Sequence, residues 1–183
     1  QMQLKVENKF IDYFNKNTEI YQGMSLIDRE LGGTTPIDIV LTLPEEEIIV
    51  DEDDFFFSEN SEVATYWWRE KNMELLKSLK NSIDDVSGVG KVLSIANGAE
   101  FAENLNDGFP IGEAGLVFLK NSLLENDQAK QIVDEYLSED ERSTRISLRT
   151  IDSLDGLSRN ELLNEINAVL SAQLEGRDVS FYV

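Results

Sequence analysis

The sequence predicts an α+β fold in which two strand–helix–strand (βαβ) units contribute to one sheet. Three observations support this prediction. Near the C-terminal end, 145–150 alternates polar and apolar residues, as a half-buried strand does, and a helix and a short strand follow. In the first half, a strand, a helix and an apolar strand follow one another in the same order. Between the two units, 99–137 has helical patterns and is therefore predicted to be a helical insertion.

A short helical segment is predicted before the first unit. Asn17-Thr18 is a candidate N-cap, and Gly32-Gly33 is a candidate stop signal. The apolar residues between them that fall on one helical face are Ile20, Met24, Ile27 and Leu31. Because a strand follows Gly32-Gly33 and no helix begins there, the pair favours a turn over a phosphate-binding loop.

The first βαβ unit is predicted at about 36–96. It consists of a strand at 37–43, a helix at 67–83 that opens with Tyr66-Trp67-Trp68, and a short apolar strand at 91–96. Ser87-Gly88-Val89-Gly90 is predicted to be the turn that leads into the second strand.

The second βαβ unit is predicted at about 143–183. Ser158-Arg159-Asn160-Glu161 has the S-x-x-E form of a capping box, in which the serine oxygen accepts a backbone N–H of the first turn. Gly176 is well placed to end the helix, and 179–183 predicts the last strand. The apolar residues at helical spacing are Leu162, Leu163, Ile166, Val169, Leu170 and Leu174. Two such units in one sheet predict a split-βαβ, ferredoxin-like arrangement within a single domain, 1–183.

The composition excludes several classes of function. Sixteen Lys and Arg against 36 Asp and Glu give a formal charge of −20, which repels phosphate backbones and disfavours nucleic acid as a partner. The sequence has no cysteine and no histidine. This excludes disulfides, thiolate or imidazole metal ligands and a Ser-His-Asp triad.

No apolar run approaches the roughly 18–20 residues of a membrane span. The start at Gln1-Met2 suggests a fragment of a longer protein.

Residues 45–57 alternate acidic clusters with apolar triplets. An EF-hand count from Asp51 places Asp53 at the third position and Glu62 at the twelfth, but Phe56 falls where the loop needs glycine. This excludes an EF-hand and leaves a solvated acidic loop or a looser Ca²⁺ site as the alternatives. We expect no metal or other cofactor.

The aromatic residues near this segment are candidates either for core packing or for an apolar contact surface. If any residues of the chain touch a hydrophobic substrate, we expect them to be Phe55, Phe56, Phe57, Trp67 and Trp68.

Several ordered stretches carry a family resemblance. They are Phe10–Phe14, Thr18–Met24, Ile27–Pro36, Tyr66-Trp67, Gly90–Ser94, Tyr136–Asp140, Arg145–Arg149 and Asp152-Ser153. Together they resemble the large extracytoplasmic loop of predicted exporters in the RND superfamily, in the branch close to the MMPL and hopanoid-transporter-like proteins. The chain departs from that pattern at Trp68, where relatives tend to have Phe, and in the acidic segment 45–57.

The resemblance implies a porter-like subdomain on the periplasmic side of the inner membrane, within a proton-driven exporter of lipids or other hydrophobic compounds. Its partners would be the transmembrane helices and the other extracytoplasmic loop of the same transporter, which could form a homo-oligomer. Such a domain is not an enzyme. The alternatives are a stand-alone ferredoxin-like module for ligand binding or protein interaction, and an acid–base enzyme with paired carboxylates.

Overall fold

The computed structural model describes residues 10–45, 64–154, 156 and 158–183. These residues form six α-helices and four strands, with short 3-10 helices at Phe10–Tyr13 and Tyr66–Trp68. In chain order the elements are α1 (Glu19–Glu30), β1 (Thr35–Thr42), α2 (Glu70–Asp84), β2 (Val89–Leu93), α3 (Ala96–Leu105), α4 (Gly112–Leu124), α5 (Asp127–Tyr136), β3 (Ser143–Thr150), α6 (Arg159–Leu174) and β4 (Ser180–Tyr182).

The four strands form one antiparallel sheet in the order β2-β3-β1-β4. The central pair is the longest, with β1 and β3 in register from Thr35 opposite Thr150 to Thr42 opposite Ser143. Since the structure combines α-helices with an antiparallel sheet, the predicted α+β class is confirmed.

The core lies on one face of this sheet. Side chains that are directly opposite on β1 and β3, Ile37 with Leu148 and Ile39 with Ile146, are buried on the same face because successive strand residues alternate. The buried apolar residues of α2 and α6 join the same core, and they are Met73, Leu75, Leu76, Leu79, Ile83, Leu162, Ile166, Leu170 and Leu174.

The helix ends largely follow the predicted signals. Thr18 caps α1 by accepting a hydrogen bond from Tyr21 N, and Ser158 caps α6 by accepting one from Glu161 N. Gly32 and Gly176, directly after the C-caps of these two helices, have positive φ angles of 68° and 74°.

Two predicted boundaries in the first βαβ unit are wrong. Tyr66 has a φ of +45° and Arg69 is extended, so 66–68 forms a separate 3-10 turn and the α-helix begins at Glu70. The strand predicted at 91–96 lies at Val89–Leu93, and Gly90 is inside it. It ends early because Asn97 Oδ1 accepts a hydrogen bond from Ser94 N at 2.8 Å, which turns the chain into α3.

The insertion between β2 and β3 consists of α3, α4 and α5, which confirms the helical character predicted for 99–137. Lys77 and Lys80 of α2 form ion pairs with Glu103 at 2.6 Å and Glu100 at 2.7 Å of α3. Leu116 of α4 belongs to the core, as does Val133 of α5. No helix in the described part of the chain has the length and apolar character needed to cross a membrane.

Candidate contact surface and its anchoring junction

A buried carboxyl group connects α1 to the end of the sheet. Asp28 is only 2% exposed. Its Oδ1 accepts a hydrogen bond from Thr34 Oγ1 at 2.7 Å, and its Oδ2 accepts one from Ser153 N at 2.7 Å. Because burying a polar group costs free energy unless it is hydrogen-bonded, these two bonds are what allow Asp28 to face inward.

A second carboxyl group strengthens the same junction. Asp152 follows β3, and its Oδ2 accepts a hydrogen bond from Thr35 Oγ1 at 2.6 Å. Its Oδ1 accepts one from Thr150 Oγ1 at 3.2 Å. The two carboxyl groups thus bind the hydroxyls of Thr34 and Thr35, at the start of β1, to the segment at the end of β3.

Two glycines let three backbone segments meet at this junction. Gly33, with a φ of +96°, lies so close to β3 that a Cβ would be 2.6 Å from Thr150 O. A Cβ on Gly90 of β2 would be 1.8 Å from Gly32 O. Lys91 N donates a hydrogen bond to the same Gly32 oxygen at 3.1 Å, which joins β2 to the turn after α1. The Gly32-Gly33 turn therefore packs against two strands.

The junction is built for positioning, because the oxygens of its two carboxyl groups are occupied by protein donors. Both oxygens of Asp28 and both of Asp152 accept hydrogen bonds from protein groups. Among the described residues, no group of three or more acidic side chains is arranged to hold a metal ion. The predicted Gly32-Gly33 turn is confirmed.

The junction determines which side of α1 faces the solvent. The buried residues of α1 are the polar Ser25 and Asp28. The apolar positions that were predicted to share one face lie beside these buried residues, and Ile20, Ile27 and Leu31 are 58%, 53% and 55% exposed. We call Ile20, Met24, Ile27 and Leu31 the α1 ridge. Its outward orientation was missed, because the spacing of apolar residues indicates a face without indicating what covers it.

A second group of exposed apolar side chains lies in the insertion. Phe101 and Leu105 are one turn apart on α3, and Phe109 follows in the turn after that helix. All three side chains are exposed, as is Phe118 of α4. Large apolar side chains exposed one turn apart on a helix, as Phe101 and Leu105 are, are typical of a contact surface.

Of the five expected substrate-contact residues, the structure describes two. Trp67 and Trp68 are fully buried in the core, and Trp67 Nε1 donates a hydrogen bond to Arg142 O at 2.9 Å. Among the described residues Trp68 Nε1 has no hydrogen-bond partner. Phe55, Phe56 and Phe57 lie outside the described residues, as does most of the acidic segment considered for Ca²⁺. Substrate contact by these five aromatic residues stays a prediction.

Two ionisable groups outside the junction have displaced pKa values. Burial lowers the pKa of Lys77, but the hydrogen bonds that it donates to Glu103 and Glu74 outweigh this effect and leave the pKa raised. The pKa of Asp140 is lowered, first because its carboxylate accepts a hydrogen bond from the Ser138 hydroxyl. Both groups are parts of local ion-pair or turn networks.

Comparison with known proteins gave no further assignment: no protein-family model matches the sequence, and no curated protein matches it.

Proposed function

We propose that this chain is an extracytoplasmic porter domain of a proton-driven exporter in the RND superfamily, in the branch close to the MMPL proteins. In this proposal the domain lies on the periplasmic side of the inner membrane and helps to pass and gate lipids or other hydrophobic compounds. Rigid-body movements of the βαβ units would open and close the path. Energy coupling would depend on acidic groups in membrane helices of the parent transporter.

The observation that carries the proposal is the convergence of stretches that bear the family resemblance. Asp28 and the Gly32-Gly33 turn come from one such stretch, Gly90 from another and Asp152-Ser153 from a third. They are separated by up to 125 residues in sequence, yet hydrogen bonds and backbone contacts join them in one junction. A shared structural role gives a physical reason for these stretches to occur together.

The strand order supports a ferredoxin-like, split-βαβ arrangement. Because β3 is antiparallel to both β1 and β2, the first unit places two strands in the same direction with β3 between them. In the second unit β3 and β4 run in the same direction with β1 between them. We propose that the two units interleave in this way as a porter subdomain does.

The proposal gives the chain no catalytic role and no cofactor. Its partners would be the transmembrane helices and the second extracytoplasmic loop of the same protein, and the full-length protein could be a homo-oligomer. The exposed α1 ridge also suits the second candidate function, a stand-alone ferredoxin-like module for ligand binding or protein interaction.

The gene sequence on either side of the region that encodes this chain distinguishes these two functions. The exporter proposal predicts an apolar run of about 20 residues shortly before Gln1 and another shortly after Val183. Stop codons or polar domains at both ends would contradict it and favour the stand-alone module. If the spans are present, we expect substitution of Phe55–Phe57 by polar residues in the full-length protein to reduce export of a lipophilic compound without reducing protein abundance.

A further inference from the structure

A helix that packs on a core normally buries apolar side chains and exposes polar ones, but α1 does the reverse. It buries Ser25 and Asp28, and it exposes Ile20, Ile27 and Leu31. A buried polar group and an exposed set of large apolar side chains are the two informative departures from ordinary burial. In α1 they occur on adjoining sides of one helix, since Asp28 is four residues after Met24 and three before Leu31.

The orientation of α1 is fixed by hydrogen bonds. Rotating the ridge toward the protein's own core would break the bonds from Thr34 Oγ1 and Ser153 N to Asp28. It would also break the 2.6 Å bond from Gly33 N to Asp28 O, which ends the helix. The ridge is therefore held outward by the same junction that connects the helix to the sheet.

The shape of the ridge indicates the kind of occupant. Its four positions recur at intervals of three and four residues, so they form a strip about 16 Å long at 1.5 Å per residue. Small-molecule sites are concave, whereas such a strip projects from a helix. The side chains of one helix pack well into the grooves of a second helix, and this is the usual way in which amphipathic helices recognise one another.

Charge indicates the chemistry of that second helix. Glu19 and Glu30 are exposed along one side of the ridge. Arg29 lies on the other side of the helix, where its Nε donates a hydrogen bond to Ser25 O. The chain as a whole carries a formal charge of −20, which disfavours a second copy, an acidic helix and an anionic membrane surface.

We propose that the α1 ridge docks an amphipathic helix of a partner polypeptide whose apolar side is flanked by Lys or Arg. This inference goes beyond the proposed function, since it applies equally to a domain of an exporter and to a stand-alone module.

The probe for this surface is a fluorescein-labelled synthetic helix of Leu, Lys and Ala with its leucines at helical spacing. We expect the double variant Ile27→Asn/Leu31→Asn to raise the Kd for this peptide at least about tenfold, which corresponds to about 1.4 kcal/mol. The matched control is Ile132→Asn, at an exposed apolar position on α5, and we expect it to change the Kd less than about twofold. Fluorescence anisotropy measures both.

A second peptide tests the charge requirement. It keeps the leucines and replaces every Lys by Glu, and we expect it to bind the wild-type chain at least about tenfold more weakly. Circular dichroism checks that the variants are folded, and Ile20→Asn at the other end of the ridge serves if the double variant is not.

Three results would overturn the proposal. Equal binding of the Lys peptide to the wild type and the ridge variants would show general charge attraction. If the Glu peptide bound the wild-type chain as tightly as the Lys peptide does, the partner helix would not need Lys or Arg. Dimerisation of the wild-type chain that Ile27→Asn/Leu31→Asn abolishes would identify a second copy as the occupant.

Discussion

Gly90→Ala tests the junction most sharply, because the added methyl group meets the backbone. A Cβ at this position would lie 1.8 Å from Gly32 O and 2.3 Å from Gly32 C. No rotation of a side chain can relieve such contacts. Either β2 must move away from the turn that follows α1, or that turn must move away from β2.

The expected cost has two parts. Separating the segments breaks the hydrogen bond from Lys91 N to Gly32 O, which is 3.1 Å long in the wild type. Such a bond contributes about 0.5–1.5 kcal/mol, and overpacking a tight site costs about 1–3 kcal/mol. We therefore expect Gly90→Ala to lower the free energy of unfolding by about 1.5–4.5 kcal/mol.

Urea denaturation followed by tryptophan fluorescence measures this change, since Trp67 and Trp68 are both buried in the core. The matched control is Gly98→Ala in α3, where an added Cβ has no atom within 4 Å. Alanine is the better helix former by about 0.5–1 kcal/mol, so this variant should be slightly more stable than the wild type. A Gly90→Ala protein as stable as the wild type would refute the close approach of β2 to the turn.

Three further predictions concern buried polar groups. Asp28→Asn should lower the free energy of unfolding by about 1–3 kcal/mol in urea, because an amide has only one acceptor oxygen for the two donors that Asp28 now accepts from. The raised pKa of Lys77 means that its stabilising contribution is complete below its ordinary pKa of 10.5 and is lost as the pH rises through the folded value. The stability difference between the wild type and Lys77→Met should therefore shrink at high pH. Trp67→Phe should destabilise more than Trp68→Phe by about 0.5–1.5 kcal/mol in the same assay, because Trp67 loses a hydrogen bond.

Each of these three predictions would be contradicted by a specific result. For Asp28 the control is Asp84→Asn at an exposed position of α2. If both substitutions lowered the free energy of unfolding equally, the hydrogen bonds of the junction would contribute no stability. For Lys77, a difference from Lys77→Met that stays constant between pH 9 and pH 12 would contradict the raised pKa. For the tryptophans, equal losses would mean that the bond from Trp67 Nε1 contributes little.

The periodicity of the sequence was sufficient to predict most of the elements. Strand alternation at 145–150 and the cap at Ser158 depend on local residues, so both could be recognised without the structure. Gly90 shows the limit of such local signals. The sequence places it in a turn, whereas in the structure it lies within β2, where the backbone at Gly32 leaves no room for a side chain.

The contact surface depends on partners far apart in the chain. Asp28 binds Ser153 across 125 residues, and Thr35 binds Asp152 across 117. No local pattern predicts such pairs, so the polar side of α1 could not be recognised as its buried side. The apolar spacing of Ile20, Ile27 and Leu31 did predict a shared face, but its exposure follows from the distant pairs.

The most direct test of the exporter proposal is to sequence the gene on both sides of the region that encodes this chain. The proposal predicts apolar runs of about 20 residues close to both ends, one before Gln1 and one after Val183. Stop codons or polar domains in both places would contradict it, and the chain would then be a stand-alone module whose partner is sought through the α1 ridge.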